Sequence, residues 1–460
     1  MYIDFLFSLN FSEIFFLTIP FLICMWDLAK NFQDKNWINF FKPTSFFGLL
    51  IIFYCLVGPI LSSALDDGSI MYRGVNHREF YEIGLIASFL TYLSFQIGFN
   101  YKNFFKIQKF GINKLKEYSL KTKDYLFMFK WGERIVLFTL LLQFLTYGSL
   151  LIYRIFSTNQ TAIYTRLYGG FASGYFSSSV NFLIVGIILL FISLLNGIKE
   201  RTKFIFYFSI TVGLFLNLGF RYRLLLLLLR LILIYFFYKK VKPNLSILLG
   251  LFLSTIFAFG FIQIARDYGL GISYEKFQSR VIKAQSASGS DTSVLGYVFK
   301  EAFFDTNVFH TSAGIIHKTP ELYNYVGLKP LINAVTLPIP RILWAGKPSG
   351  EYMKKIYKII YEGYQWEVGA ANLGFAEYYL SGGWIALIIT NFFLGLFFKK
   401  IWLEFLNNFN DPISQLKYVL FLSYLYVVFT RGYLLQFVYI YFSIFLPFYF
   451  FSYIWNKRFR

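Results

Sequence analysis

Apolar stretches of about 20 residues, the length a helix needs to cross a hydrocarbon layer about 30 Å thick, recur along the whole chain. They lie at 5–25, 44–63, 81–99, 135–153, 175–196, 204–219, 224–238, 245–264, 373–397, 413–430 and 433–455. The pattern predicts an all-α, polytopic membrane protein with about eleven transmembrane helices. The sixth and seventh are separated only by Phe220-Arg-Tyr-Arg223, which predicts a tight helical hairpin. One long run breaks the apolar rhythm. Between 265 and 372 the polarity is mixed, and short amphipathic helices are predicted at Tyr274 to Val281, Val294 to Phe304 and Glu351 to Tyr361, with Pro320, Pro330, Pro338, Pro340 and Pro348 breaking the rest into turns. The chain therefore divides into 1–264 with eight transmembrane helices, a capping segment at 265–372, and 373–460 with three more helices and a tail. Helices lying across the membrane face would let the middle segment cover a site at the outer leaflet.

Composition supports the membrane reading. Of 460 residues, 57% are hydrophobic and 15% charged, against about 25% charged in soluble domains. The net charge of +20 does not point to nucleic acid, because the Lys and Arg residues fall between the apolar runs instead of gathering on a soluble face. Their distribution orients the chain instead. Alternate connections and the tail carry 24 Lys and Arg, and the opposite short connections carry 7, which predicts an N-terminus outside, a C-terminus in the cytoplasm and an extracytoplasmic 265–372. The basic run from Lys102 to Lys116 serves as an orientation anchor or meets anionic headgroups or a soluble partner. Cys24 and Cys55 both sit in apolar runs, so neither a disulfide framework nor a thiolate metal site is indicated. The first apolar run has no basic region before it and no cleavage pattern after it, and is expected to be retained as a helix. Phe and Tyr, 60 and 36 residues, are read mainly as lipid-facing and interfacial side chains. No internal repeat is visible, which argues against a transporter built from paired halves.

The chain carries no phosphate-binding loop, dinucleotide fingerprint, nucleophile elbow or metal-ligand spacing on the outer side, so no cofactor and no metal is expected. What recurs is arginine at outer helix ends: Arg221, Arg223, Arg266 and Arg431. Arginine is disfavoured there by the orientation rule. Such side chains either snorkel to headgroups or converge on phosphate oxygens, which the rigid guanidinium fork suits. Arg230 interrupts a run of leucines about 10 Å deeper than Arg223 and on the same helix face, with Glu13 one possible counter-charge. Glu377 is open to three readings: a proton acceptor, a partner for an arginine, or an interfacial residue. His310 is either a base working near neutral pH or a structural histidine.

The string Pro338-Ile-Pro-Arg-Ile-Leu-Trp-Ala-Gly-Lys-Pro348, followed by the Gly-rich helix entry Asn372-Leu-Gly-Phe-Ala-Glu-Tyr-Tyr-Leu-Ser-Gly-Gly-Trp384, resembles the Wzy-type oligosaccharide repeat-unit (O-antigen) polymerases. The likeness covers the chain in topology and is specific from about Arg266 to Trp384. It implies a metal-independent, inverting glycosyltransferase of the GT-C-like membrane class in a bacterial inner membrane. The substrate implied is an undecaprenyl-pyrophosphate-linked oligosaccharide, and the partners are membrane lipids, a chain-length regulator and a flippase. Arg221, Arg223, Arg266, Arg341, Lys347 and Arg431 would bind the pyrophosphate, with His310 or Glu377 as base. One departure is that no glycine stands eleven positions after Arg221, Arg266, Arg280 or Arg341, so the arginine roles stay open. An O-antigen ligase acting on lipid A core and a lipid-linked oligosaccharide flippase are the competing readings. The orientation is directly testable: a cysteine at Ser288 should label with an impermeant thiol reagent from the periplasmic side and one at Ser119 should not, and the opposite pattern overturns it.

Overall fold

The computed structural model describes residues 9–62, 64–66, 69–72, 75–101, 120–147, 178–217, 221–268, 279, 302–337, 339, 343–344, 346–348, 350–361 and 371–459. In chain order the helices are α1 (Phe11–Gln33), α2 (Pro43–Leu61), α3 (Arg78–Asn100), α4 (Thr122–Tyr147), α5 (Phe182–Leu195), α6 (Arg201–Asn217), α7 (Arg221–Lys239) and α8 (Leu245–Tyr268). They continue as α9 (Val308–Lys318), α10 (Lys329–Thr336), α11 (Glu351–Ile360), α12 (Gly374–Asn407), α13 (Pro412–Thr430) and α14 (Leu434–Phe459).

The helical class expected from the pattern is what the described residues adopt, and a helix runs through the described part of each apolar stretch. Six helices among the described residues, α1, α2, α3, α12, α13 and α14, are long and apolar enough to cross a membrane. The strands among the described residues are three short ones after α2, β1 (Ala64–Asp66), β2 (Ser69–Tyr72) and β3 (Val75–Asn76), forming an antiparallel sheet in the order β1-β2-β3. Of the three amphipathic helices expected in the middle segment, α11 is present. The span 274–281, apart from Ser279, and all of 294–301 lie outside the described residues. Two further helices were not anticipated, α9 and α10.

The described chain falls into two compact units. The first holds residues up to 115, 303–408 and 421–439; the second holds 116–302, 409–420 and 440–460.

In the first unit α3 is the strut. Gly98 and Gly395 let the backbones of α3 and α12 touch: a Cβ at Gly98 would lie 2.0 Å from the Phe392 carbonyl oxygen, and one at Gly395 2.2 Å from that of Phe95. Small residues at such crossings are how helices approach closely in an apolar solvent. Nearer its start, α3 receives α9 at Gly84, where a Cβ would meet Phe309 and Ala313 at 2.8 Å. The start of α1 is stitched to the same end of α3. Asn10 and Glu13 form a reciprocal capping box, Ser12 donates to Glu82, and Glu13 is ion-paired with Arg78. Glu13, considered above as a counter-charge for Arg230, is thus taken up by Arg78.

Helix α2 contains a π-helical turn, Ile52–Val57, immediately before Gly58-Pro59. Proline lacks an amide donor, and the widened turn carries Tyr54 to a hydrogen bond with Tyr426 of α13, 2.9 Å between hydroxyls. Helix α12 is interrupted at Gly382 and Gly383, the latter with φ of +68°, a left-handed conformation that glycine tolerates. The piece after the break, from Trp384 to Asn407, rises about 36 Å and is long enough by itself to cross a bilayer; the piece before it carries Glu377.

In the second unit α5 is buried along nearly its whole length. It meets α4 through a second pair of glycines, Gly132 and Gly186, where each added Cβ would lie about 3 Å from the other's carbonyl oxygen. Gln143 donates to Ser179 at 2.9 Å, and Asn181 donates to Ser443 at 2.7 Å. Arg230 is fully buried on α7.

Gly98→Val should therefore lower the thermal stability of detergent-solubilised protein by at least the 1–3 kcal/mol typical of overpacking, about the size of a large core defect. Gly213→Val, at a position on α6 with no atom within 4 Å of the added Cβ, should leave it unchanged. Equal melting of the two variants would refute the close α3–α12 crossing.

Candidate functional site

Among the described residues of the first unit, a set of buried polar side chains gathers where α11, the start of α12 and the turn between α13 and α14 meet. Asn372 fixes the turn. Its backbone carbonyl accepts from the Gly432 amide at 2.7 Å, its side-chain nitrogen donates to the Gly432 carbonyl at 2.7 Å, and its side-chain oxygen accepts from the Tyr357 hydroxyl at 2.6 Å. Ser312 of α9 accepts from the next amide, Leu373, at 2.7 Å. The approach is so close that a Cβ at Gly432 would lie 2.2 Å from the Leu373 backbone, and one at Gly350 would fall on the Tyr433 hydroxyl.

Glu377, one helical turn into α12 and fully buried, holds the other side of the turn. One carboxylate oxygen accepts from the Tyr352 hydroxyl at 2.5 Å, and the other from the Leu434 amide at the start of α14 at 2.6 Å. A carboxylate at a helix N-terminus is favoured by the dipole and by the orphan amides there. Burial, and then Glu377 itself, push the Tyr352 hydroxyl far above the ordinary tyrosine range; the same two causes raise Tyr433 to about 12. Both phenols remain protonated donors at neutral pH.

Arg431 lies within this clamped turn, half-buried, between Thr430 and Gly432. It is in electrostatic reach of the Tyr54 and Tyr426 hydroxyls, as is Asp305 from the short 3₁₀ turn Phe304–Asn307 that precedes α9. The two phenols thus feel both a permanent cation and a carboxylate, the kinds of group that anion binding and proton transfer use.

His310 belongs to a second cluster. It and His77 are both buried, with ring centroids 5.5 Å apart. Tyr72 lies 5.9 Å from His77 and 6.2 Å from His310. Tyr361 stands 5.7 Å from His77, its hydroxyl 2.8 Å from that of Thr311. Burial pushes His77 down to about 4; burial and the neighbouring His77 push His310 down to about 3, against the hydrogen bond it makes to the Pro59 backbone. Both imidazoles are neutral at pH 7, and a group so reluctant to accept a proton is a weak base.

The remaining expected residues are placed as follows. The Lys347 ammonium donates to the carbonyls of Leu337 and Ile339 at 2.8 and 2.9 Å, folding its own segment. Arg341 lies outside the described residues. Arg221 begins α7 and Arg266 lies in the last turn of α8. Arg223 is buried on α7 against the ring and hydroxyl of Tyr222, the latter 3.2 Å away. Those three arginines belong to the second unit, whereas Glu377, Arg431, His310 and Lys347 belong to the first. Sequence reasoning passed over Tyr54, His77, Asp305, Tyr352, Tyr357, Tyr426 and Tyr433. Among 36 tyrosines, no spacing distinguishes the few that hydrogen-bond within the core. Asn372 was within reach, since it opens the Gly-rich entry quoted above.

No protein family, curated protein or solved structure matches this chain.

The paired histidines fix a direction of pH dependence. Their folded pKa values lie below the 6.5 of a free histidine, so the unfolded chain takes up protons that the folded chain refuses. Stability is complete above about pH 6.5 and falls as the pH drops towards 4, by about 1.4 kcal/mol per pH unit for each histidine. Melting temperatures in detergent should decline over that interval, and His310→Gln should flatten the decline whatever its effect at neutral pH. A slope the variant leaves unchanged would show that His310 does not titrate as its burial requires.

Proposed function

We propose that this chain is a polymerase of lipid-linked oligosaccharide repeat units, an eleven-pass, GT-C-like inverting glycosyltransferase of a bacterial inner membrane with its N-terminus outside. It takes a glycan from undecaprenyl pyrophosphate and transfers it to the non-reducing end of another lipid-linked repeat unit. The observation that carries this reading is Arg431 held on a turn clamped by Asn372 and Glu377, two residues of the stretch whose likeness to the repeat-unit polymerases is most specific.

In this reaction the bond between the anomeric carbon and the pyrophosphate oxygen breaks, and the pyrophosphate leaves with the electron pair. The acceptor hydroxyl oxygen forms the new bond from the opposite face, inverting the configuration, and its proton passes to a base. Arg431 is assigned to the leaving pyrophosphate, where a fixed donor fork stabilises charge as it develops. Arg341 is proposed as its companion, and Lys347 is given a structural part. Glu377 is the favoured base over His310. The position of the Tyr352 hydroxyl on its carboxylate marks where an acceptor hydroxyl would bind once the tyrosine is displaced.

Arg431→Lys should cut polymer formation by roughly 10²–10³-fold, the scale set by losing one preorganised donor, because lysine keeps the charge but not the fork. Glu377→Gln should do the same, and Tyr352→Phe should retain most activity. The readout is the ladder of surface glycan on a gel at matched protein levels. Wild-type ladders from Arg431→Lys sink the reading. In a deletion strain, single repeats still attached to core support polymerase, whereas loss of all attachment favours the ligase.

A further inference from the structure

Helix α10 is amphipathic the wrong way round for a protein in water. Its inward face carries Pro330, Asn333, Ala334 and Thr336, all buried, while Leu331, Ile332 and Val335 point outward, with Val335 71% exposed. Large apolar side chains are exposed in the flanking chain too, alongside the polar Asn324 and Lys329. Leu322, Tyr325 and Leu328 before the helix, and Leu343 and Trp344 after it, are all exposed. Polar residues turned in and large apolar ones turned out are stable only where the surroundings are apolar.

The bilayer is the surrounding that this position provides. The segment is pinned to the start of the spanning piece of α12: the Val326 amide donates to the Leu380 carbonyl at 2.9 Å, just before the break, and Tyr325 packs on Tyr379 and against Gly383. Immediately beyond the break, α12 presents Ile385, Ile388, Ile389 and Phe393 outward, the face a spanning helix shows to lipid. Tyr325, Tyr379 and Trp384 make contiguous ring contacts at that junction, the kind of aromatic grouping that marks the boundary between acyl chains and headgroups. The outward face of the arm is thus continuous with a lipid-facing surface. Helix α11, in contrast, buries Ile356 and Ile360 and exposes Lys354, Lys355 and Lys358, as a helix in water does.

We propose that residues 322–337, with Leu343 and Trp344, form an interfacial arm whose outward face is immersed in the membrane at the level where the spanning part of α12 begins, with α11 in water. The arm braces the break at Gly382 and Gly383 against lipid, where an irregular backbone needs hydrogen-bond partners supplied by protein. The inference stands apart from the glycosyltransferase reading, because it concerns where the segment lies and not what it catalyses.

The test uses the full chain, with Cys24→Ala and Cys55→Ala, reconstituted into phosphatidylcholine–phosphatidylglycerol vesicles. A polarity-sensitive fluorophore is attached in separate samples through Val335→Cys, Ile389→Cys and Lys355→Cys. The Val335 probe should emit in the blue like the Ile389 probe, be quenched by lipids carrying a spin label on the acyl chain near the headgroup, and resist aqueous iodide. The Lys355 probe should do the opposite, and the two reference probes verify that the protein is folded. Iodide quenching at position 335 would place the arm in water, and a blue emission that neither quencher reaches would mean that protein covers it. Either result overturns the proposal.

Discussion

The pairing of Asn372 with Gly432 is the contact on which the polar core of the first unit depends. Backbone and side chain of Asn372 bracket both peptide groups of Gly432, so a turn between two membrane helices has its polar groups satisfied by protein and not by water. Buried peptide groups without partners are costly. Once the turn is fixed, Tyr357 brings α11 onto Asn372, Ser312 brings α9 onto Leu373, and Glu377 caps the start of α14. Three segments far apart in sequence are joined by a handful of hydrogen bonds, and Arg431 is carried into place by the same turn.

Glycine provides the complementary constraint. Membrane helices gain little from burying apolar surface against one another, since lipid is equally apolar; they hold where backbones approach closely. Gly98 with Gly395, and Gly132 with Gly186, do this in the two units separately. Gly432 and Gly350 act in the same sense at the polar locus, where any side chain would displace the turn or Tyr433. The contacts that look least chemical therefore set the positions of the groups that are most so.

The two titratable clusters of the first unit differ in what their surroundings allow. His77 and His310 are sealed among aromatic rings and stay neutral, which suits packing. Glu377 is equally buried but meets donors on both oxygens, one from a phenol and one from a helix N-terminus, and it lies on the segment that also orients Arg431. The same degree of burial gives one pair a structural character and the other group a poised one, because only the latter is surrounded by exchangeable hydrogen-bond partners.

The helical class and the location of the six helices long and apolar enough to cross a membrane were legible in the sequence, because a run of some 20 apolar residues has few alternatives when backbone groups must bond internally. Helix α11 was legible as well, its lysines and isoleucines alternating with helical period. Helices α9 and α10 were not. The first is buried nearly all round by partners distant in sequence, and the second reverses the usual sidedness, so neither presents a face that periodicity alone assigns to a core. Among the site residues, Glu377 and Arg431 could be named from position, as a charge near a helix end in an apolar chain. Their partners could not. Which tyrosines reach them, that Glu13 turns to Arg78, and that Lys347 folds back on its own carbonyls depend on which helices come together, and that was decided by glycine contacts and turn geometry that appear only when the chain is folded.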